Sequence, residues 1–202
     1  MKIALKLILL VVIIGLAYMV FESIMEPVRF NKEKDKREQT VIRKLEDIRA
    51  GQLAFKKFNK RYTASWDTLI DFLKNNEFFV VKEFADPNDT TFTKTIRDTL
   101  GTVSIMDSLY GKRPNFKIDQ LKYVPIPAAF FAKETFELRA GKIERGGVPV
   151  DVFESQVTYD ILLKGLDKQL IANLIKSVKE MNKYPGLKVG SLTEASTEGN
   201  WK

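Results

Sequence analysis

Three observations predict an α+β fold behind an N-terminal transmembrane helix. An uncharged apolar run, Leu7 to Phe21, follows the opening MKIALK. Three later stretches repeat apolar residues at helical spacing, and short runs between them alternate apolar with polar residues. Together these patterns predict amphipathic helices packed on a mainly antiparallel β-sheet.

The chain has 202 residues, 45% of them hydrophobic and 29% charged, a globular balance rather than a disordered one. It contains no cysteine and no histidine. That excludes disulfides, thiol catalysis, thiolate or imidazole metal sites and every mechanism built on a histidine base. The net charge of +7 comes from dispersed residues, with no aromatic-basic platform, so nucleic acid is not an expected partner.

Extending the apolar run back to Ile3, with Lys6 snorkelling, approaches the ~20 residues that cross a bilayer as helix. Tyr18 and Phe21 fall where an aromatic belt would sit. No small-residue cleavage site surrounds Phe21-Glu22-Ser23, so the run is expected to be an uncleaved signal anchor rather than a cleaved leader. Lys2, Lys6 and the terminal amine precede the span, and Glu22 and Glu26 follow it. A short positive tail favours an N-in, C-out orientation, although Arg29, Lys32, Lys34, Lys36 and Arg37 lie close behind on the other side.

After the anchor, Pro27 can kink or break the emerging helix. From Asn31 to Arg49 basic and acidic residues interleave, as on a solvated helix face or a patch touching anionic lipid. Val41, Ile42, Leu45, Ile48, Phe55 and Phe58 then mark a helix over 38–60. Ala50, Gly51 and Ala54 leave a narrow strip on it, and Tyr62-Thr63-Ala64 forms a turn. Ser65 caps a second helix over 65–76, with Asp67 in its first turn and Trp66, Leu69, Ile70 and Leu73 as its apolar stripe.

Strand signals follow at Phe78–Phe84, around Val103 and Ile105, and in ETFELRAGKI, where Phe136, Leu138 and Ala140 share one face. Residues 85–91 form a loop by composition, and 107–127 are expected to be irregular around Pro114, Pro125 and Pro127. Gly146-Gly147 is a turn. Val157, Tyr159, Ile161 and Leu163 alternate as another strand. Leu170, Ile171, Leu174, Ile175, Val178 and Met181 define a third helix over 167–183, stopped by Pro185-Gly186. Leu187 and Val189 suggest a last short strand, and residues 191–202 a flexible tail.

Local signals for catalysis are weak. Glu134 and Glu137 alternate across their strand and so make a poor acid–base pair. Ser177 and Lys179 point in different directions on their helix. GLKVGSLT, Gly186 to Thr193, has three residues between its glycines where a Walker loop needs four, and reads as a turn with a short strand. The acidic stretch NDTTF lacks calcium-loop spacing. No catalytic, cofactor-binding or metal-binding residue is therefore assigned.

The segment AGQLAFKKFNKRYTASWDTL, through Ala54-Phe55, Tyr62, Ser65 and Leu69, resembles type IV pilins and type II secretion pseudopilins at the point where their long helix meets the globular domain. That resemblance implies self-assembly through the anchor. The chain departs from it where processing occurs: the nearby glycine, Gly15, lies mid-span, and five residues on stands Val20 rather than glutamate. The ending KYPGLKVGSLTE…GNW resembles a group of single-span bacterial envelope proteins that carries no assigned activity.

The expected organisation is a short cytoplasmic tail at 1–6, a transmembrane signal anchor at 7–25 and a juxtamembrane and amphipathic helix at 26–64. An α+β extracytoplasmic domain at 65–190 and the tail at 191–202 complete it. The expected function is a non-catalytic subunit or scaffold of a bacterial inner-membrane assembly with a periplasmic domain. Its expected partners are the lipid bilayer through residues 3–25, other envelope proteins and, in a homo-oligomer, further copies of the chain. The alternatives are a pilin-like filament or secretion-system subunit and, third, an envelope enzyme using carboxylates or a Ser-Lys pair.

Overall fold

The computed structural model describes residues 2–85, 95–127 and 133–201. The fold is α+β, with a long apolar N-terminal helix and small antiparallel sheets. The elements run α1 (Lys2–Asn59), α2 (Trp66–Asn75), β1 (Glu77–Ala85), β2 (Thr95–Ser104) and α3 (Ile105–Tyr110). After a 3-10 turn at Ile118–Gln120 come β3 (Glu137–Arg145), β4 (Val148–Thr158), α4 (Tyr159–Leu162), α5 (Lys168–Glu180) and β5 (Gly186–Gly190).

α1 merges the expected anchor and amphipathic helix into one element of 58 residues. Of the kink or break that Pro27 can introduce, the break is not formed: the helix runs on through it. The ring removes one backbone bond, to the Ser23 carbonyl, and established helix on both sides carries the segment through. α1 ends where Lys60 adopts a left-handed φ of 58° and its N–H bonds the Lys56 carbonyl.

Contacts divide the chain into two compact units. The first comprises 1–42, 125–134 and 157–187, and the second 43–124, 135–156 and 188–202.

In the first unit, Arg37 organises the polypeptide after β4. Its guanidinium donates to the carbonyls of Leu162 and Lys164 at 3.3 and 2.9 Å, and to Glu33 at 3.1 Å. Lys164 in turn pairs with Glu134. The strand expected over Val157–Leu163 is not formed beyond Thr158. Leu162 and Leu163 are both buried in a turn of helix closed by the Leu163 N–H on the Tyr159 carbonyl. α5 is capped by Asp167, whose carboxylate accepts the Leu170 N–H at 2.8 Å. It stops before Pro185-Gly186, at Asn182, which takes a left-handed φ of 55°.

In the second unit, Leu45, Ile48 and Phe55 of α1 are buried at the expected spacing. Ser65 caps α2 by accepting the Thr68 N–H, and Leu69, Phe72 and Leu73 form its buried face. Phe72 meets the rings of Phe55 and Phe58 edge-on at 5.0 and 5.4 Å. The Trp66 indole donates to the Phe136 carbonyl at 3.0 Å. Lys44 donates to the carbonyls of Gln120 and Tyr123, and burial lowers its pKa.

Among the described residues, two separate sheets replace the single one expected. β1 and β2 form a two-stranded antiparallel ribbon, and β4 lies centrally in the order β3-β4-β5. The second strand signal ends at Ser104, and Ile105 opens α3 instead of continuing the alternation. β3 follows its predicted pattern: Phe136 and Leu138 are buried, Ala140 is half-buried, and the intervening side chains are exposed. Gly146 and Gly147, at φ 59° and 79°, make the two-residue hairpin turn into β4. Residues Val152 to Val157 are buried on both faces, as a central strand requires.

The segment expected as a flexible tail is bonded to β5. Gly190 donates to the Glu198 carbonyl at 2.9 Å, Asn200 donates to the Lys188 carbonyl at 3.1 Å, and Glu198 pairs with Arg49 at 2.6 Å. Of the loop expected at 85–91, all but Ala85 lies outside the described residues.

Candidate functional site

The most distinctive surface is the start of α1. Its large apolar side chains described between Ile3 and Phe21 are all more than half exposed, from 52% at Val12 to 76% at Ile3. The most apolar 18-residue window has a mean hydropathy of 2.6, and none of it is buried. By length and composition this helix is able to cross a membrane. Its apolar character runs all round the helix, unlike the one-sided stripe of a helix packed on a soluble core.

Charge begins at once beyond Phe21. The Arg29 guanidinium grips Glu22 with two bonds, at 2.7 and 3.3 Å, two turns back along the same face. A groove of about 600 Å³ runs beside this pair, floored by Phe30, Leu166 and Leu170. Three of its carboxylates are already engaged: Glu22 by Arg29, Glu33 by Arg37 and Asp167 by the α5 backbone. They serve as structural anchors.

A second groove, also about 600 Å³, lies in the other unit beside the Tyr62 turn and the middle of β3. Lys60, Arg61, Lys142 and Asp151 line it. The Lys56 ammonium stands 4.6 Å from the centre of the Tyr62 ring. Burial raises the Tyr62 pKa, Asp151 adds to the rise and Arg49 opposes it. The phenol therefore stays protonated at neutral pH and offers no base.

The carboxylates singled out by sequence are held by other partners. Glu134 pairs with Lys164 at 3.3 Å. Glu137 accepts from Gln156 at 2.7 Å and from Arg139 at 2.8 Å. The Gln156 bond, chiefly, holds its carboxyl below the usual range, with slight burial opposing and Arg139 reinforcing. A carboxyl so placed stays ionised and is unsuited to donate a proton. Ser177 and Lys179 are both exposed on α5, two positions apart and so on different faces.

Gly186–Gly190 of the loop-like sequence is strand β5. Ser191 after it folds its hydroxyl back on the N–H groups of Thr193 and Glu194, at 3.2 Å each. The stretch NDTTF lies outside the described residues, among which no group of three or more potential metal ligands gathers.

Sequence reasoning missed the polar residues that organise each unit, Arg37 and Gln52. For Gln52 a signal existed: it lies four positions after Ile48 and three before Phe55, where the apolar stripe calls for a buried side chain. For Arg37, one of many charges on a mixed face, there was none. No protein-family model, curated protein or solved structure matches the chain.

Proposed function

We propose that this chain is a non-catalytic, single-pass subunit or scaffold of a bacterial inner-membrane assembly. Residues 3–25 hold it in the bilayer, and its folded part meets other envelope proteins in the periplasm. One observation carries this reading: the apolar sleeve from Ile3 to Phe21 is exposed on all sides of a helix that continues unbroken to Asn59. Water does not tolerate such a sleeve, whereas a bilayer supplies its solvent. The basic N-terminal tail supports the N-in orientation.

The test uses the natural absence of cysteine. A single cysteine at the exposed Ala195 (A195C) is expected to react with an impermeant maleimide in cells with a permeabilised outer envelope. Labelling only after lysis reverses the orientation. Release of the full chain from membranes by alkaline carbonate refutes the anchor.

A pilin-like subunit is the second reading, favoured by the layout of α1, which passes from the apolar run to the Tyr62 turn without a break. It requires removal of the first residues before assembly. An intact mass equal to that of the full chain, with no filaments, excludes it.

A further inference from the structure

The groove beside the start of α1 opens where the apolar sleeve ends. From Ile3 to Phe21 the helix rises about 27 Å, close to the ~30 Å of a hydrocarbon core, which sets Glu22 at its boundary. Glu26 follows about 6 Å further along, within a headgroup layer about 5–8 Å deep. The helix is two-faced over this stretch. Glu22, Glu26, Arg29, Phe30 and Glu33 recur at helical spacing on the face that lines the groove. Ile24 and Val28, both more than half exposed, lie on the opposite face. Apolar surface thus continues past Phe21 on one side while charge gathers on the other, as suits a helix leaving a bilayer beside its own folded part.

Charge selects the occupant. Four carboxylates line the groove, Glu22, Glu26, Glu33 and Asp167, against one guanidinium, Arg29, although the whole chain carries +7. An acidic groove at headgroup level favours a cationic group and disfavours an anionic headgroup. Glu26 is exposed and, unlike the other three carboxylates, has no hydrogen bond or ion pair among the described residues. Arg29 gives two N–H donors to Glu22 and has others open. Glu26 and Arg29 stand three residues apart on the helix, about 5–6 Å between Cβ atoms. That spacing matches the adjacent ammonium and phosphate of a single zwitterionic headgroup. The apolar floor of Phe30, Leu166 and Leu170 keeps water from beneath both charged groups, which strengthens bonds made to them.

We propose that this groove holds the headgroup of one bilayer phospholipid that bears a primary ammonium, as phosphatidylethanolamine does. Glu26 accepts hydrogen bonds from the ammonium, and Arg29 donates to the phosphate. The proposal rests on the anchoring reading and deepens it, by naming the class of lipid that the folded part selects beside its own anchor.

Native mass spectrometry of the full chain, in micelles doped with equal amounts of phosphatidylethanolamine and phosphatidylglycerol, reads the selectivity. The unaltered chain is expected to retain one phosphatidylethanolamine, favoured over phosphatidylglycerol by roughly tenfold, the scale of one charged hydrogen bond. E26Q keeps the size of the side chain, removes its charge and is expected to abolish the preference. E26K carries its own ammonium and is expected to reverse it. E180Q, at an exposed position of α5 outside the groove, is expected to leave it unchanged. Equal retention of the two lipids by the unaltered chain, an unchanged preference in E26Q, or loss of the preference in E180Q overturns the proposal. L166C, labelled with a benzophenone maleimide and irradiated in native membranes, is expected to gain the mass of phosphatidylethanolamine; capture of a protein instead also overturns it. Alkaline carbonate washing of the same membranes reports on the anchor. A chain that resists the wash but shows no lipid preference refutes the headgroup site alone, whereas a released chain refutes both readings.

Discussion

The Gln52 side chain pairs with both backbone groups of Thr63: its amide nitrogen donates to the Thr63 carbonyl at 2.7 Å, and its oxygen accepts the Thr63 N–H at 3.2 Å. Gln52 is fully buried, and the two bonds tie α1 to the turn that leads into α2. The amide does there what a strand neighbour would do, satisfying a donor and an acceptor of an irregular segment. Q52L keeps the volume and leaves both Thr63 groups unpaired, at an expected cost of about 2–3 kcal/mol. Q52E sets a carboxylate against the Thr63 carbonyl, so its stability is expected to recover at acid pH, where the protonated side chain again donates. Urea unfolding of the full chain in micelles, followed by tryptophan fluorescence, measures both.

Tyr110 donates to the Asp47 carbonyl at 2.8 Å, and Arg113 holds the Asp47 carboxylate with two bonds at 2.9 and 2.6 Å. Burial pushes the Tyr110 pKa well up, Asp47 adds to the rise and Arg113 opposes it. A phenol whose folded pKa is raised contributes stability that is complete below its unfolded value, about 10, and is lost as pH climbs beyond it. Y110F is expected to cost about 1 kcal/mol at pH 7 through the lost hydrogen bond. It is also expected to flatten the decline in stability between about pH 10 and 11. Urea midpoints across that range decide it; an unchanged alkaline slope contradicts the assignment.

The Arg37 side chain is only 10% exposed and closes the end of α4 through the Leu162 and Lys164 carbonyls. R37M leaves these acceptors open, and R37K keeps the charge without the planar guanidinium that bonds both carbonyls through Nη1 while Nε holds Glu33. Either variant is expected to accelerate amide exchange locally over residues 159–171, R37M by roughly tenfold or more, as loss of a charged hydrogen-bond donor implies. The Gln52–Thr63 segment serves as the internal reference and is expected to keep its protection.

Gly190 has a φ of +76°, and a Cβ there would press on the Phe153 carbonyl oxygen. Gly146 has a φ of +59° and open space around it. G190A is therefore expected to cost at least about 2 kcal/mol, since backbone strain and a clash with backbone coincide. G146N is expected to stay within about 0.5 kcal/mol of the parent, because asparagine suits this hairpin position. Equal effects in the two variants would show that the close approach of β5 to β4 at Gly190 is not limiting.

Signals contained within a few residues predicted their elements well. Ser65 caps the helix that it was expected to cap, Gly146-Gly147 turns β3 into β4, and Phe136 and Leu138 point inward. Each is a local free-energy preference, expressed wherever the segment lies. The alternation at Val157–Leu163 misled because Tyr159 and Leu163 also stand one helical turn apart. Periodicity does not separate strand from helix over so short a run.

By itself, then, the sequence determined an exposed apolar helix able to cross a membrane, an α+β class and most element positions, because helix period, strand period and caps are local. Only the tertiary structure decided which polar side chains became structural. Gln52 and Arg37 owe their roles to carbonyls 11 and over 120 residues away. It also decided that β1 and β2 stand apart from β3, β4 and β5. Those outcomes depend on which distant groups would otherwise be buried without a hydrogen bond, and no local pattern of residues encodes that cost.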